Sequence, residues 1–281
     1  MKKSFLGGQA VLEGVLLIFE GSYAVAVKTP NGVVVKKDTS KLLQTKLLSI
    51  PFLRGPIALL LMALIGYKAM MFASQKSSEE DEELSFLTLI IILVVTLALA
   101  AFLFGFMPLL IATLTIPVTQ PVLFNFVDGV IRIVAVVAYI LLISRLSEIK
   151  RLFAYHGAEH KVINAFESGK ATLARARKQS RFNARCGTTF VVLVLFVAII
   201  VYSLTPLDLP LIPLLLLRLA FLIPIASLSY ELVRFSYTKK NNWFIRILLA
   251  PGYLVQQLTV REPSDEQLEV ALAALRVLTK R

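Results

Sequence analysis

Phe86-Leu87-Thr88-Leu89-Ile90-Ile91-Ile92-Leu93-Val94-Val95-Thr96-Leu97-Ala98-Leu99-Ala100 opens a run that reaches Leu114 without a charged side chain. About 20 apolar residues suffice to cross the hydrocarbon of a bilayer, so this stretch reads as a transmembrane helix. Working outward, the run after it is broken by Pro108, Pro117 and Pro121, and a second apolar stretch covers Gly129 to Leu146 with Arg132 near its start. Thr188 to Leu204 and Leu211 to Val233 are two more, joined by Thr205-Pro206-Leu207-Asp208-Leu209-Pro210. Residues 51–73 are apolar but interrupted by Arg54, Pro56, Gly66 and Lys68. Composition agrees: 57% of residues are hydrophobic and 17% charged, and mean hydropathy is +0.76. That balance excludes an ordinary soluble domain.

Charge then orients the spans. Cytoplasmic loops carry the excess of Lys and Arg. Residues 148–187 hold Lys150, Arg151, Lys161, Lys170, Arg175, Arg177, Lys178, Arg181 and Arg185, and Arg234, Lys239, Lys240 and Arg246 follow the last apolar run. Lys28, Lys36, Lys37, Lys41, Lys46 and Arg54 mark the N-terminal region. All three regions are expected inside. The acidic run Glu79-Glu80-Asp81-Glu82-Glu83 carries little topological weight. The expected fold class is mainly α: a polytopic membrane helix bundle of about four spans with a small cytoplasmic N-terminal β-element and a C-terminal amphipathic helix. Its parts are a β-containing region at 1–50, an interfacial or membrane-packed helix at 51–73, a first transmembrane pair at 86–147 (crossings at 86–110 and 128–147), a basic segment at 148–187, a transmembrane hairpin at 188–233 and a C-terminal region at 234–281. The N-terminus lacks the apolar core of a secretory signal, so an internal span is expected to direct insertion. The expected location is a cytoplasmic membrane, with both termini inside.

The net charge of +12 points to anionic lipids as partners rather than to nucleic acid. A single cysteine, Cys186, excludes an internal disulfide.

Tyr23–Lys28 and Val33–Lys37 flank Thr29-Pro30-Asn31-Gly32, which predicts a hairpin turning on Asn-Gly. Gly7–Val15 is expected to add a further strand. Near the C-terminus, Ser264 and Gln267 fit an N-cap and its capping-box partner. Leu268, Ala271, Leu272, Leu275 and Leu278 then share a helix face.

The two histidines of the chain stand four residues apart, in Tyr155-His156-Gly157-Ala158-Glu159-His160-Lys161. On a helix both rings reach one side, and Glu159 at i+3 lies close to it. H-x-x-E-H is the order of inverted zincins, with two metal ligands and a general base. Zinc is the expected cofactor, and a zinc site needs a third ligand. Cys186 at the start of one span, Glu231 near the end of the next and Glu167 beyond His160 all fall at the membrane level of the pair. A plainer reading stands beside each. The histidines fit interfacial anchors, Glu231 fits an i+3 partner for Arg234, Cys186 fits a small buried hydrophobe and the basic residues fit a lipid-facing patch. Glu13, between turn residues, fits a site residue or a turn. Beyond Arg132, little charge is expected within the spans, which disfavours a transporter.

Six motifs resemble the bacterial YqhQ family: Gly7–Val15, Ile50–Gly55, Tyr155–Lys161, Arg185–Phe190, Ser229–Leu232 and Arg261–Pro263. The resemblance runs nearly end to end. It implies a multi-span membrane protein of unknown function, in a family whose names often suggest metal-dependent enzymes. It also adds weight to Glu13, His156, Glu159, His160, Arg185, Cys186 and Glu231. Two departures are visible. The family's Met-Met-Arg is Leu16-Leu17-Ile18 here, and its His-Pro-Arg-Cys-Gly is Asn183-Ala184-Arg185-Cys186-Gly187. The leading expectation is a metal-dependent hydrolase at the cytoplasmic membrane surface. The alternative is a non-enzymatic scaffold or regulator of a membrane-protein complex, in biogenesis or quality control.

Overall fold

The structure is a computed structural model that describes residues 6–77, 86–117, 119–205, 209–238 and 242–279. The acidic run 79–83, residues 206–208 of the expected turn, and Lys239 and Lys240 lie outside the described residues.

Four strands, β1 (Leu6–Val11), β2 (Gly14–Phe19), β3 (Ser22–Thr29) and β4 (Gly32–Thr39), form an antiparallel sheet in chain order. The expected β3–β4 hairpin is present, but its turn residues are Pro30 and Asn31, with Thr29 opposite Gly32. Proline's fixed φ suits the first corner, and Gly32 takes the positive φ that follows. The stretch read as one strand at Gly7–Val15 is a second hairpin. Val11 pairs with Gly14 around Leu12-Glu13, and Glu13 adopts a φ of 48°.

Strand side chains alternate between faces, and both faces are apolar. Leu6, Val15, Leu17, Ala24 and Ala26 meet Tyr155, Ala158 and Val162 of α5 (Ser147–Glu167) and Leu268, Ala271 and Leu272 of α10 (Asp265–Thr279). Val11, Leu16, Val25 and Val27 meet Ile65, Ala69 and Ala73 of α1 (Arg54–Ser77). The result is a helix–sheet–helix sandwich. The α10 N-terminus closes as read: Ser264 N–H donates to Gln267 Oε1 at 3.0 Å, and Gln267 N–H donates to Ser264 Oγ at 3.3 Å. Val270 and Ala274 are buried along with the anticipated face, because α5 and the short α6 (Leu173–Lys178) flank the helix while the sheet covers it.

Among the described residues, four helices are long and apolar enough to cross a membrane: Arg54–Ser77, Ile91–Thr115, Pro121–Ile143 and Ile212–Ser236. The count matches expectation but the membership differs. The 51–73 segment, expected as an interfacial or membrane-packed helix, reaches spanning length as α1, although its second half packs on the sheet. Conversely, α7 (Gly187–Tyr202) has only 16 residues. The next candidate span runs from α2 (Phe86–Ala101) through a π-helical turn into α3 (Met107–Thr115), so Pro108 does not end the helix. Pro121 starts α4 (Pro121–Ile143) rather than breaking a helix, as a proline in the first turn does. Arg132 consequently sits in mid-helix. Residues 91–99 are all exposed and apolar apart from Thr96, a surface suited to lipid. These helices mark the chain as a membrane protein. After α8 (Leu211–Thr238) comes α9 (Trp243–Thr259), which packs along α7 through Ile245 and Leu249 against Leu193.

Candidate metal centre

α5 packs under β1, and the close approach depends on Gly8. A Cβ on Gly8 would lie 2.9 Å from Glu159 Cγ and 2.7 Å from the Leu16 carbonyl. Gly157, two residues before Glu159 on α5, admits the Arg261 carbonyl in the same way. The segment between α9 and α10 is thereby clamped to α5. Arg261 N–H donates to the Phe153 carbonyl at 2.9 Å, and Lys161 is ion-paired with Glu262. The Arg261-Glu262-Pro263 motif thus braces the helix that carries the histidines.

Each histidine is held by its Nδ1. His156 Nδ1 lies 3.0 Å from the Thr259 carbonyl and His160 Nδ1 lies 2.6 Å from the Arg181 carbonyl. A carbonyl only accepts, so each ring donates from Nδ1 and presents Nε2 as a lone pair, the arrangement that orients metal-binding imidazoles. His156 Nε2 is 3.2 Å from Cys186 Sγ. Cys186 caps α7, and Thr188 N–H donates to its sulfur at 3.4 Å. Ligand atoms of His156, His160 and Cys186 all lie within 4.8 Å of one another.

Glu159 is 5% exposed, and one carboxylate oxygen lies 4.0 Å from His156 Nε2. Burial pushes its carboxyl up to about 7, against the opposing pull of His156 and Arg185. These groups face a cavity of about 520 Å³ whose other walls are β1 from Leu6 to Ala10, Leu59 and Met62 of α1, Phe190 of α7, and Tyr230 and Val233 of α8.

The remaining sequence candidates fall elsewhere. Glu231 is ion-paired with Arg54 and accepts from Phe52 N–H at 3.0 Å, outside the His–His–Cys group. The partner expected for it, Arg234, is replaced by one on α1. Glu167 is ion-paired with Arg185. Glu13 receives Arg151 Nε at 3.0 Å and the Tyr155 hydroxyl at 3.4 Å. With Glu13 as a neighbour, burial raises the Tyr155 phenol above its ordinary value. Asn183 donates from its backbone to Gln256 Oε1 at 3.1 Å and from its side chain to Asn164 at 3.2 Å.

Sequence reading missed Gln256 of α9. Fully buried, it also donates to the Asn183 carbonyl at 2.8 Å and to Thr189 Oγ1 at 2.6 Å, tying the loop before Cys186 to α9. It missed Asp128 and Arg218 as well, both buried among the spans. Both carried a signal: Asp128 stands at i−4 from Arg132, the spacing of a helical ion pair, and Arg218 is a charge inside an apolar run.

The model of a family described as a protein of unknown function (DUF1385) matches residues 50–281. The chain belongs to this family. The uncharacterized protein YqhQ of Bacillus subtilis (strain 168) is 32% identical over 295 aligned positions, covering 98% of this chain and 92% of that protein. No solved structure matches significantly.

Proposed function

We propose that this family member is a membrane-embedded, metal-dependent hydrolase, with His156, His160 and Cys186 as zinc ligands. The observation that carries the reading is the pair of Nδ1–carbonyl contacts, which aim two lone pairs toward one sulfur. Three protein ligands with an open fourth position is the pattern of catalytic zinc. A bound zinc ion supplies Lewis acidity at that position. Glu159 serves as general base, accepting the proton of the attacking water and returning it to the leaving group. Asn183, which stands where the motif of the YqhQ-like resemblance commonly has histidine, is engaged with Gln256 and Asn164, so Cys186 takes the third place.

By the positive-inside rule the cleft and both termini face the cytoplasm of a bacterial cell, at the inner membrane. The cleft lies between α1 and α5, and β1, an edge strand, lines it. Alternate residues of such a strand turn amide groups away from the sheet, which suits an extended segment of a membrane protein as substrate. The exposed strand β4, with Val33 and Val34 at its surface, supports a second reading as a docking scaffold for a membrane-protein complex.

The deciding experiment is the metal content of detergent-purified protein, wild type against His160→Ala, prepared without a histidine-rich tag. About one zinc per chain, lost in the variant, is the expected result. Glu159→Gln is then expected to keep the metal and to lose function in cells. Metal-free wild-type protein, from cells grown with ample zinc, would leave the scaffold reading.

A further inference from the structure

The spans contain a second cluster, at the far end of α7 from Cys186. Asp128 and Arg132 stand four residues apart on α4, and Arg218 joins them from α8. Arg218 Nη1 donates to Asp128 Oδ2 at 2.8 Å and its Nη2 donates to Asn125 Oδ1 at 2.6 Å. Arg132 Nη2 reaches the same Asp128 oxygen at 3.2 Å. Both guanidiniums lie over the Tyr202 ring, 4.9 Å (Arg218) and 5.4 Å (Arg132) from its centroid. The Tyr202 hydroxyl donates to the Arg218 carbonyl at 3.0 Å, which fixes the ring.

Among the described residues the charges do not balance: two guanidiniums share one carboxylate, and α4 and α7 contain no other ionisable acid or base except tyrosine. On α8 the next charged residue is Glu231, about 20 Å further along the helix axis. Relative exposures are 1% for Asp128, 8% for Arg132 and 4% for Arg218. The Nε–H groups of both arginines are buried, and neither has a hydrogen-bond partner among the described residues. A buried surplus cation between lipid-facing helices is costly unless an anion meets it. The two arginines are not equivalent. Asp128 and Asn125 lock Arg218, whereas Arg132 makes only the longer contacts and sits beside the lipid-exposed Val130 and Val134.

We propose that Arg132 and Arg218 form an intramembrane binding site for a phosphate-bearing anion. Arg132 contacts the ligand, and Asp128 and Asn125 position Arg218 behind it. A guanidinium fork matches phosphate oxygens in pairs, with several acceptors available to the donors left over. Tyr202 ends α7 and Arg218 lies two turns into α8, which puts the cluster close to one end of the α7–α8 hairpin. A phospholipid headgroup and free phosphate share the required chemistry.

The test uses delipidated full-length protein and follows its thermal unfolding, together with lipid retention in native mass spectrometry. Phosphatidylglycerol, phosphatidylcholine and inorganic phosphate are added separately to wild type and to Arg132→Gln. Phosphatidylglycerol is expected to stabilise wild type above phosphatidylcholine, and Arg132→Gln is expected to bind it about tenfold more weakly, the loss of one charge-assisted contact. Stabilisation by inorganic phosphate, lost in the variant, would support the site with a free anion as its ligand. Equal response of wild type to both lipids and none to phosphate would overturn the proposal, as would a variant that retains the anion like wild type. If Arg132→Gln does not fold, Arg132→Lys carries the comparison, with weakened binding expected from a point charge in place of the fork.

Discussion

The two ends of α7 organise polar groups in opposite ways. At its N-terminus, Cys186, His156 and His160 meet with their lone pairs facing one another, and the outer nitrogen of each ring is tied to a backbone carbonyl. Toward its C-terminus, Tyr202 carries two guanidiniums joined through a single carboxylate. The first arrangement gathers three possible ligand atoms within 4.8 Å of one another. The second is an ionic fastening between α4 and α8, and its one carboxylate is the member whose removal strands both guanidiniums. Three possible metal ligands meet at one end, and an ionic cluster joins two helices at the other.

The largest effect should come from the fastening. Asp128→Asn strands two buried guanidiniums, and a loss of about 3–5 kcal/mol is expected, read as failure to accumulate or a collapsed unfolding midpoint in detergent. Normal stability of this variant would break the contrast between the two ends. Cys186→Ala should do the reverse, abolishing zinc retention while the metal-free protein unfolds nearly as wild type does, since a small buried side chain is replaced by another. Equal loss of stability at both ends would erase the distinction. Gly157→Ala sharpens it from a different side. The added methyl meets the Arg261 carbonyl, so about 1–3 kcal/mol should be lost through overpacking, with the histidine tethers loosened and zinc affinity lowered in parallel. Smallest is Tyr202→Phe, which removes one hydroxyl bond but keeps the ring under both guanidiniums. About 1 kcal/mol is expected from chemical unfolding, with zinc content unchanged.

Much of the candidate metal centre was legible because its signals are local. His156, Glu159 and His160 share a helix face by spacing alone, and Cys186 was among the third-ligand candidates because it precedes an apolar run. The capping box of Ser264 and Gln267 and the hairpin around Pro30-Asn31 were legible for the same reason. The hairpin at Leu12-Glu13 was not, because neither residue type advertises the positive φ that Glu13 adopts. Glu231 was read against its helical neighbour Arg234, yet it pairs with Arg54, 177 residues away in the chain. Arg218 went unnoticed inside an apolar run, and its carboxylate partner lies 90 residues away.

By itself, then, the sequence determined the membrane class, the apolar helices, the His–Glu–His face and the ends of several elements. Each of these depends on residues within a few positions of one another or on the average polarity of a long run. Only the tertiary structure decided that Cys186 rather than Glu231 or Glu167 joins the histidines, that β1 lines their cleft, and that Asp128 holds two arginines. Those outcomes depend on which helix faces meet, and that is set by packing the sheet between α1 and the α5–α10 pair and by the close approach that Gly8 and Gly157 allow.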